Sequence, residues 1–259
     1  MSTAEIIKTE NSGDSLARYE EVLLRRDSLK KKAEQYQINY FRVFGDLLVD
    51  SFTIRVECIK KKKIIAYCHM HVNQGKPING ASLDHFIECE MAKYKAELDA
   101  LIRHNKAVKA GGTISEYDMF RLKKLYHGLA KLIHPDLHPE LESDPQIREY
   151  WENIVLAYEH NQLSEMEELD FQVRKYLEGK GITGAEISVL DLGSKIKKVE
   201  DEIERITSTE PYLYRLLLED EEAVTAKKEE LRSEIDSYTA YSKQLDEVIE
   251  QFRIERNYS

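Results

Sequence analysis

Residues 121–160 read RLKKLYHGLAKLIHPDLHPELESDPQIREYWENIVLAYEH, and their periodicity decides the fold. Leu122, Leu125, Leu129, Leu132 and Ile133 recur at steps of three and four, so they line one face of a helix. Pro135 lacks an amide hydrogen and forces the residue before it out of the helical region, so that helix stops and a loop begins near His134. Further on, Trp151, Ile154, Val155 and Tyr158 repeat the pattern, with Asp144 placed to cap the new helix and Pro145 at its first position. Two amphipathic helices are therefore predicted to face each other across a proline-containing loop, and the loop itself, His134-Pro135-Asp136, is expected to stand exposed.

The two helices differ in charge. From Glu116 to Ile133 the cations Arg121, Lys123, Lys124 and Lys131 outnumber Glu116 and Asp118 by two. From Glu140 to Asp170 ten carboxylates face only Arg148. The first helix is thus a candidate docking face for an acidic partner, and the second is a source of intramolecular attraction.

These residues resemble the J-domain of DnaJ-type co-chaperones. Tyr126, Leu129 and Ala130 match the Y-x-x-L-A of that family's second helix, His134, Pro135 and Asp136 match its HPD tripeptide, and Trp151, Ile154, Ala157, Tyr158 and Glu159 match the F-x-x-I-x-x-A-Y-E of its third helix. The similarity lies between Tyr117 and Leu163. The family's first helix, ending Y-x-x-L-G-V, has no counterpart upstream of Tyr117, and no fourth helix is legible after Leu163. His127, Gly128 and Leu132 stand where the family usually carries basic residues.

The resemblance implies a site for a DnaK-type heat-shock chaperone, whose ATPase the HPD loop would stimulate. His134 and Asp136 would present a polar loop, Pro135 would fix its backbone, and Arg121, Lys123, Lys124 and Lys131 would steer the partner in. No catalysis within this chain and no cofactor is implied. On the residues alone, His-Pro-Asp is also an ordinary turn in which proline stops a helix. The second reading is accordingly a structural or scaffolding coiled-coil protein whose J-like hairpin stimulates nothing, a reading favoured by the residues at positions 127, 128 and 132.

Charged residues make up 33% of the 259-residue chain, with only 11 glycines and 5 prolines, a composition that favours long helices over loops. Leu16, Tyr19 and Leu23, then Leu29, Ala33, Tyr36, Tyr40, Val43, Leu47, Ile54, Cys58, Ile65, Cys68 and Val72 lie mostly at heptad-like steps. Gly75, Pro77 and Gly80 make a turn, after which Leu83, Ile87, Tyr94, Leu98, Leu101, Asn105 and Val108 fold back on the second half of the first helix. Near the other end, Leu192, Ile196, Val199, Ile203 and Ile206 precede a break at Ser208 to Pro211, and Val224, Leu231, Tyr238, Leu245 and Phe252 follow at sevens. The expectation is an all-α chain: a flexible tail over 1–13, an antiparallel coiled-coil hairpin over 14–109, a J-domain-like core over 113–178 and a second antiparallel hairpin over 185–259. The coiled coils are expected to bind protein clients and to leave room for self-association.

A net charge of −10 argues against nucleic acid as a partner, since a phosphate backbone selects basic surfaces. The run Lys60 to Lys63 reads as a solvated helix face. The first residues carry no apolar leader, and no stretch is apolar enough for a membrane, so a soluble, cytoplasmic protein is expected. Three cysteines form no disulfide framework. Cys68, His69 and His71 are close in sequence, but Cys58 lies too far along the helix to complete a zinc site, and no metal is expected. Neither a phosphate-cradling loop nor a catalytic carboxylate pair or nucleophile elbow can be placed, which points away from an enzyme.

Overall fold

The computed structural model describes residues 3–111, 114–182 and 191–255, with side chains from 14 to 252 within those ranges. The chain is all-α, with 86% of the described residues helical. Eight α-helices are described: α1 (Thr3–Asn73), α2 (Gly80–Ala110), α3 (Glu116–Ile133), α4 (Pro145–Glu159), α5 (Leu163–Gly179), α6 (Leu192–Ser208), α7 (Tyr214–Leu218) and α8 (Glu221–Glu255), with one 3-10 turn at Pro139–Leu141. The backbone of α1 begins at Thr3, inside the segment expected to be a tail, where no proline opposes helix formation.

The chain forms two compact units. One comprises Met1–Tyr36 and Gly112–Leu213, the other Gln37–Gly111 and Tyr214–Ser259.

In the first unit α3 and α4 are antiparallel: Tyr126 stacks on Tyr158 at 4.1 Å, and His134 meets Trp151 edge-on at 4.6 Å. Leu122, Leu129, Ile133, Ile154 and Ala157 are buried between them. Truncating a fully buried leucine such as Leu129 removes about 2–5 kcal/mol. Helix boundaries follow local chemistry. Ser115 Oγ accepts the Asp118 amide at 3.0 Å at the start of α3, and Asp144 Oδ1 accepts the Gln146 amide at 3.0 Å ahead of Pro145 at the start of α4.

A third helix completes this core. The fourth helix that the resemblance leaves without a counterpart after Leu163 has its place taken by α5, which buries Met166, Leu169, Val173 and Leu177 against α3 and α4. These four recur at steps of three and four, a helical stripe hidden among many carboxylates. Tyr176 Oη donates to Asp144 and fastens the end of α5 to the cap of α4.

The two helices expected to form a C-terminal hairpin lie in different units, each running parallel to a stretch of α1. In the first unit Val199 and Ile203 of α6 pack on Tyr19, Val22 and Leu23, and Arg18 pairs with Glu200 at 2.8 Å. In the second unit α8 advances with α1: Ser51 Oγ donates to Glu234 at 3.0 Å, Cys58 Sγ to the Tyr238 carbonyl at 3.3 Å, and Lys61 to Ser242 Oγ at 2.7 Å. Val199 and Ile203 of α6 thus find their seam on α1, and Phe252 of α8 meets His69 of α1 edge-on.

The second unit also contains the fold-back that the turn at Gly75 to Gly80 predicts. Helix α2 runs antiparallel to α1, with Lys63 paired to Glu90 at 2.5 Å near the turn and Phe41 against His104 at 4.3 Å at the far end. Val56, Ile87 and Met91 form its apolar cluster. The cysteine and histidine group is dispersed. Cys68 is buried, His71 stacks on Tyr67 at 4.0 Å and His69 meets Phe252 edge-on at 4.8 Å.

Among the described residues no helix is long and apolar enough to cross a membrane.

Candidate functional site

The loop after α3 is a tight turn. The Leu137 and His138 amides donate to the His134 carbonyl at 2.9 and 2.8 Å, and the His138 ring nitrogens lie 2.8 Å from the Lys131 carbonyl and 3.1 Å from Glu140 Oε1. Pro135 holds His134 in extended backbone at φ −60° and ψ 128°, which ends α3.

The expected exposure of this loop is only partly present. Asp136 is exposed and Pro135 half-buried, but His134 keeps 5% of its surface in contact with solvent, and Leu137 and His138 are buried. The cause is α1, whose packing here no sequence pattern indicates. Asp27 of α1 is itself buried and sits 3.9 Å from His134 Nε2. Trp151 of α4 packs against the other side of the ring.

Hydrogen bonding defines the protonation of His134. Its Nδ1 accepts the Asp136 amide at 3.0 Å, so the neutral ring carries its proton on Nε2, toward Asp27. Burial pushes the imidazole below its ordinary value, and the Asp27 and Asp136 carboxylates only partly oppose this. His127, on the previous turns of α3 with a ring nitrogen 3.1 Å from Ser28 Oγ, is lowered for the same first reason.

Asp27 is the centre of a buried polar network. It accepts the Tyr126 hydroxyl at 2.9 Å and pairs with Arg26 at 2.8 Å. The Arg26 guanidinium in turn lies 3.8 Å from both Asp136 and Glu202. Burial, seconded by the Asp27 charge, raises the Tyr126 phenol far above its usual range, and burial pushes Tyr158 up to about 12. Lys31 donates to the Glu159 carbonyl at the end of α4, lies 5.5 Å from the Tyr158 ring and is lowered by burial. Between these residues and the loop lies a cleft of about 340 Å³, lined by Lys30, Glu34, Pro135, Asp136, Trp151 and Val155 among others.

The four cations of α3 do not form one face. Lys123 and Lys131 border a groove shared with α1, where Lys131 is paired to Glu20 at 2.6 Å. Arg121 and Lys124 border a second groove, between α3 and α5, where Arg121 is paired to Glu167. That second groove carries exposed Tyr117 and Phe120 on α3. Attraction for the basic helix thus comes from Glu167 of α5, within the acidic stretch 140–170, and from Glu20 of α1.

Sequence reasoning missed Arg26 and Asp27, which read as solvated charges in the segment LLRRDSL between Leu23 and Leu29. Comparison with protein-family models, with curated proteins and with solved structures gives no match.

Proposed function

We propose that this chain is a J-domain-like co-chaperone that docks on a DnaK-type heat-shock chaperone in the cytoplasm and stimulates its ATPase, with no reaction or cofactor of its own. The observation that carries the reading is the hairpin of α3 and α4 with the HPD turn at its end. Asp136 is at the surface there, Pro135 stiffens the turn, and the exposed Lys123 and Lys131 stand on one flank of α3 with Arg121 and Lys124 on the other. A short rigid turn with an exposed carboxylate suits recognition of a charged protein surface. The helices of the second unit would bind protein clients.

The test is ATPase stimulation of a purified DnaK-type chaperone by the wild type and by Asp136→Asn. Since the Asp136 side chain is 48% exposed, the variant should keep its melting temperature while stimulation drops about tenfold or more. A wild type inert toward the DnaK-type chaperones of its own cell, or an Asp136→Asn protein with undiminished stimulation, would refute the proposal.

One observation favours the second reading, a scaffold with a silent hairpin. His134 is buried against Asp27 and Trp151, where it serves the packing of α1 on α3 and α4. On that reading the wild type stimulates nothing, and the hairpin matters only to stability.

A further inference from the structure

From the contacts around the loop we infer that residues 18–36 of α1 are a built-in occupant of the docking surface, with Glu20 and Arg26 standing in for the charges of the partner. This rests on the co-chaperone reading above and adds its regulation.

Three contacts carry the inference. Glu20 neutralises Lys131 at 2.6 Å, in the groove that also holds Lys123 and His127. Arg26, two turns further along α1, approaches the exposed Asp136 at 3.8 Å. Asp27 closes over His134, between the two. A single helix thus sets an acid against the lysine flank and a base against the loop carboxylate. A partner that recognises Lys131 and Asp136 must bring the same pair of charges to the same places, so it and α1 cannot occupy the surface together.

The cover is held by anchors on either side. Tyr19, Val22 and Leu23 are buried with Leu137, at the end of the loop, and with Val199 and Ile203 of α6. Glu202 of α6 adds a second carboxylate 3.8 Å from Arg26. Helix α6 therefore braces the cover from outside, and full exposure of the loop requires this stretch of α1 to lift from α3. If only a fraction of molecules is lifted at any moment, apparent affinity for the partner is reduced by that fraction.

The experiment uses the full chain and two readouts. One is amide hydrogen exchange over residues 131–138; the other is the concentration giving half-maximal stimulation of a DnaK-type ATPase. Glu20→Lys with Arg26→Gln sets like charge against Lys131 and frees Asp136. Exchange should accelerate by roughly tenfold, and the half-maximal concentration should fall by a similar factor, because both report the lifted fraction. Glu20→Gln, a milder change that leaves the buried Asp27 network alone, should move both readouts in the same direction by less.

Faster exchange with unchanged or weaker stimulation, beside a wild type that stimulates, would overturn the cover and leave the co-chaperone reading standing. Unchanged exchange in both variants would also overturn it. If exchange rises but wild type and variants alike are inert toward the chaperone, the co-chaperone reading is what fails.

Discussion

The Tyr126 hydroxyl donates to Asp27 Oδ2 at 2.9 Å, joining two residues 99 positions apart and fastening α3 to α1. Both groups are buried, so neither can turn to water if the other is removed. Tyr126→Phe should therefore cost about 1–3 kcal/mol, the penalty for leaving a buried acceptor short of a donor. Chemical denaturation followed by circular dichroism measures it. A loss below a few tenths of a kcal/mol would mean that Arg26 alone satisfies the carboxylate.

Stability of the first unit should decline on mild acidification. Burial lowers His134 and His127 in the folded state, so both are neutral in the folded and unfolded chains above the ordinary histidine value. As pH falls below about 6.5, the unfolded chain takes up protons first and stability drops, until the folded values are passed. Glu34, raised by burial, works in the opposite sense at lower pH, where the folded state takes up its proton first. Denaturation curves between pH 7.5 and 5.5 should show decreasing midpoints, and a flat profile would contradict the buried placement of His134.

A third expectation concerns the second unit. A Cβ at Gly45 would run into the side-chain amide of Asn105, where α2 lies against α1. Gly45→Ala gains helix propensity worth about 1 kcal/mol but must displace a buried side chain that also donates to Asp46 at 3.0 Å. Overpacking costs about 1–3 kcal/mol, so a net loss of melting temperature is expected. Adding Asn105→Ala to Gly45→Ala should recover part of that loss, a coupling that a double-mutant cycle reads directly.

How much of this was readable beforehand depends on where each residue finds its partner. The limits of α3 and α4 follow from Ser115, Pro135, Asp144 and Pro145, which act on their own backbone neighbours. The seam of α1 was legible as helix but not as contact. Val43, expected in the seam, is 36% exposed, while its neighbour Phe44 is fully buried. Helix α1 has several neighbours along its length, so its apolar stripe changes face. Tyr19, Val22 and Leu23 join the cluster with α6, whereas Leu24 joins the core of α3, α4 and α5. Asp27 was the least legible of all, since one carboxylate in a charged helix reads as a solvated group until Tyr126 and His134 are brought to it.

Trp151 provides a direct measurement of the candidate site. It is the single tryptophan of the chain, and its ring lies 4.6 Å from that of His134. A protonated imidazole at this range quenches indole emission more strongly than a neutral one, so the fluorescence of the folded protein should fall as His134 takes up its proton. That proton would have to displace the Asp136 amide from Nδ1, and burial opposes the charge, so the midpoint should lie below the usual histidine value of about 6.5. Circular dichroism recorded across the same range separates this titration from unfolding. His134→Gln, which keeps a polar side chain at the position, should abolish the step, while His127→Gln should preserve it because His127 neighbours Tyr126 and Ser28 instead of Trp151. A midpoint at or above the ordinary value would show that attraction to Asp27 and Asp136 offsets burial. A midpoint above 7 would make the loop histidine a cation paired to Asp27 of α1 at neutral pH.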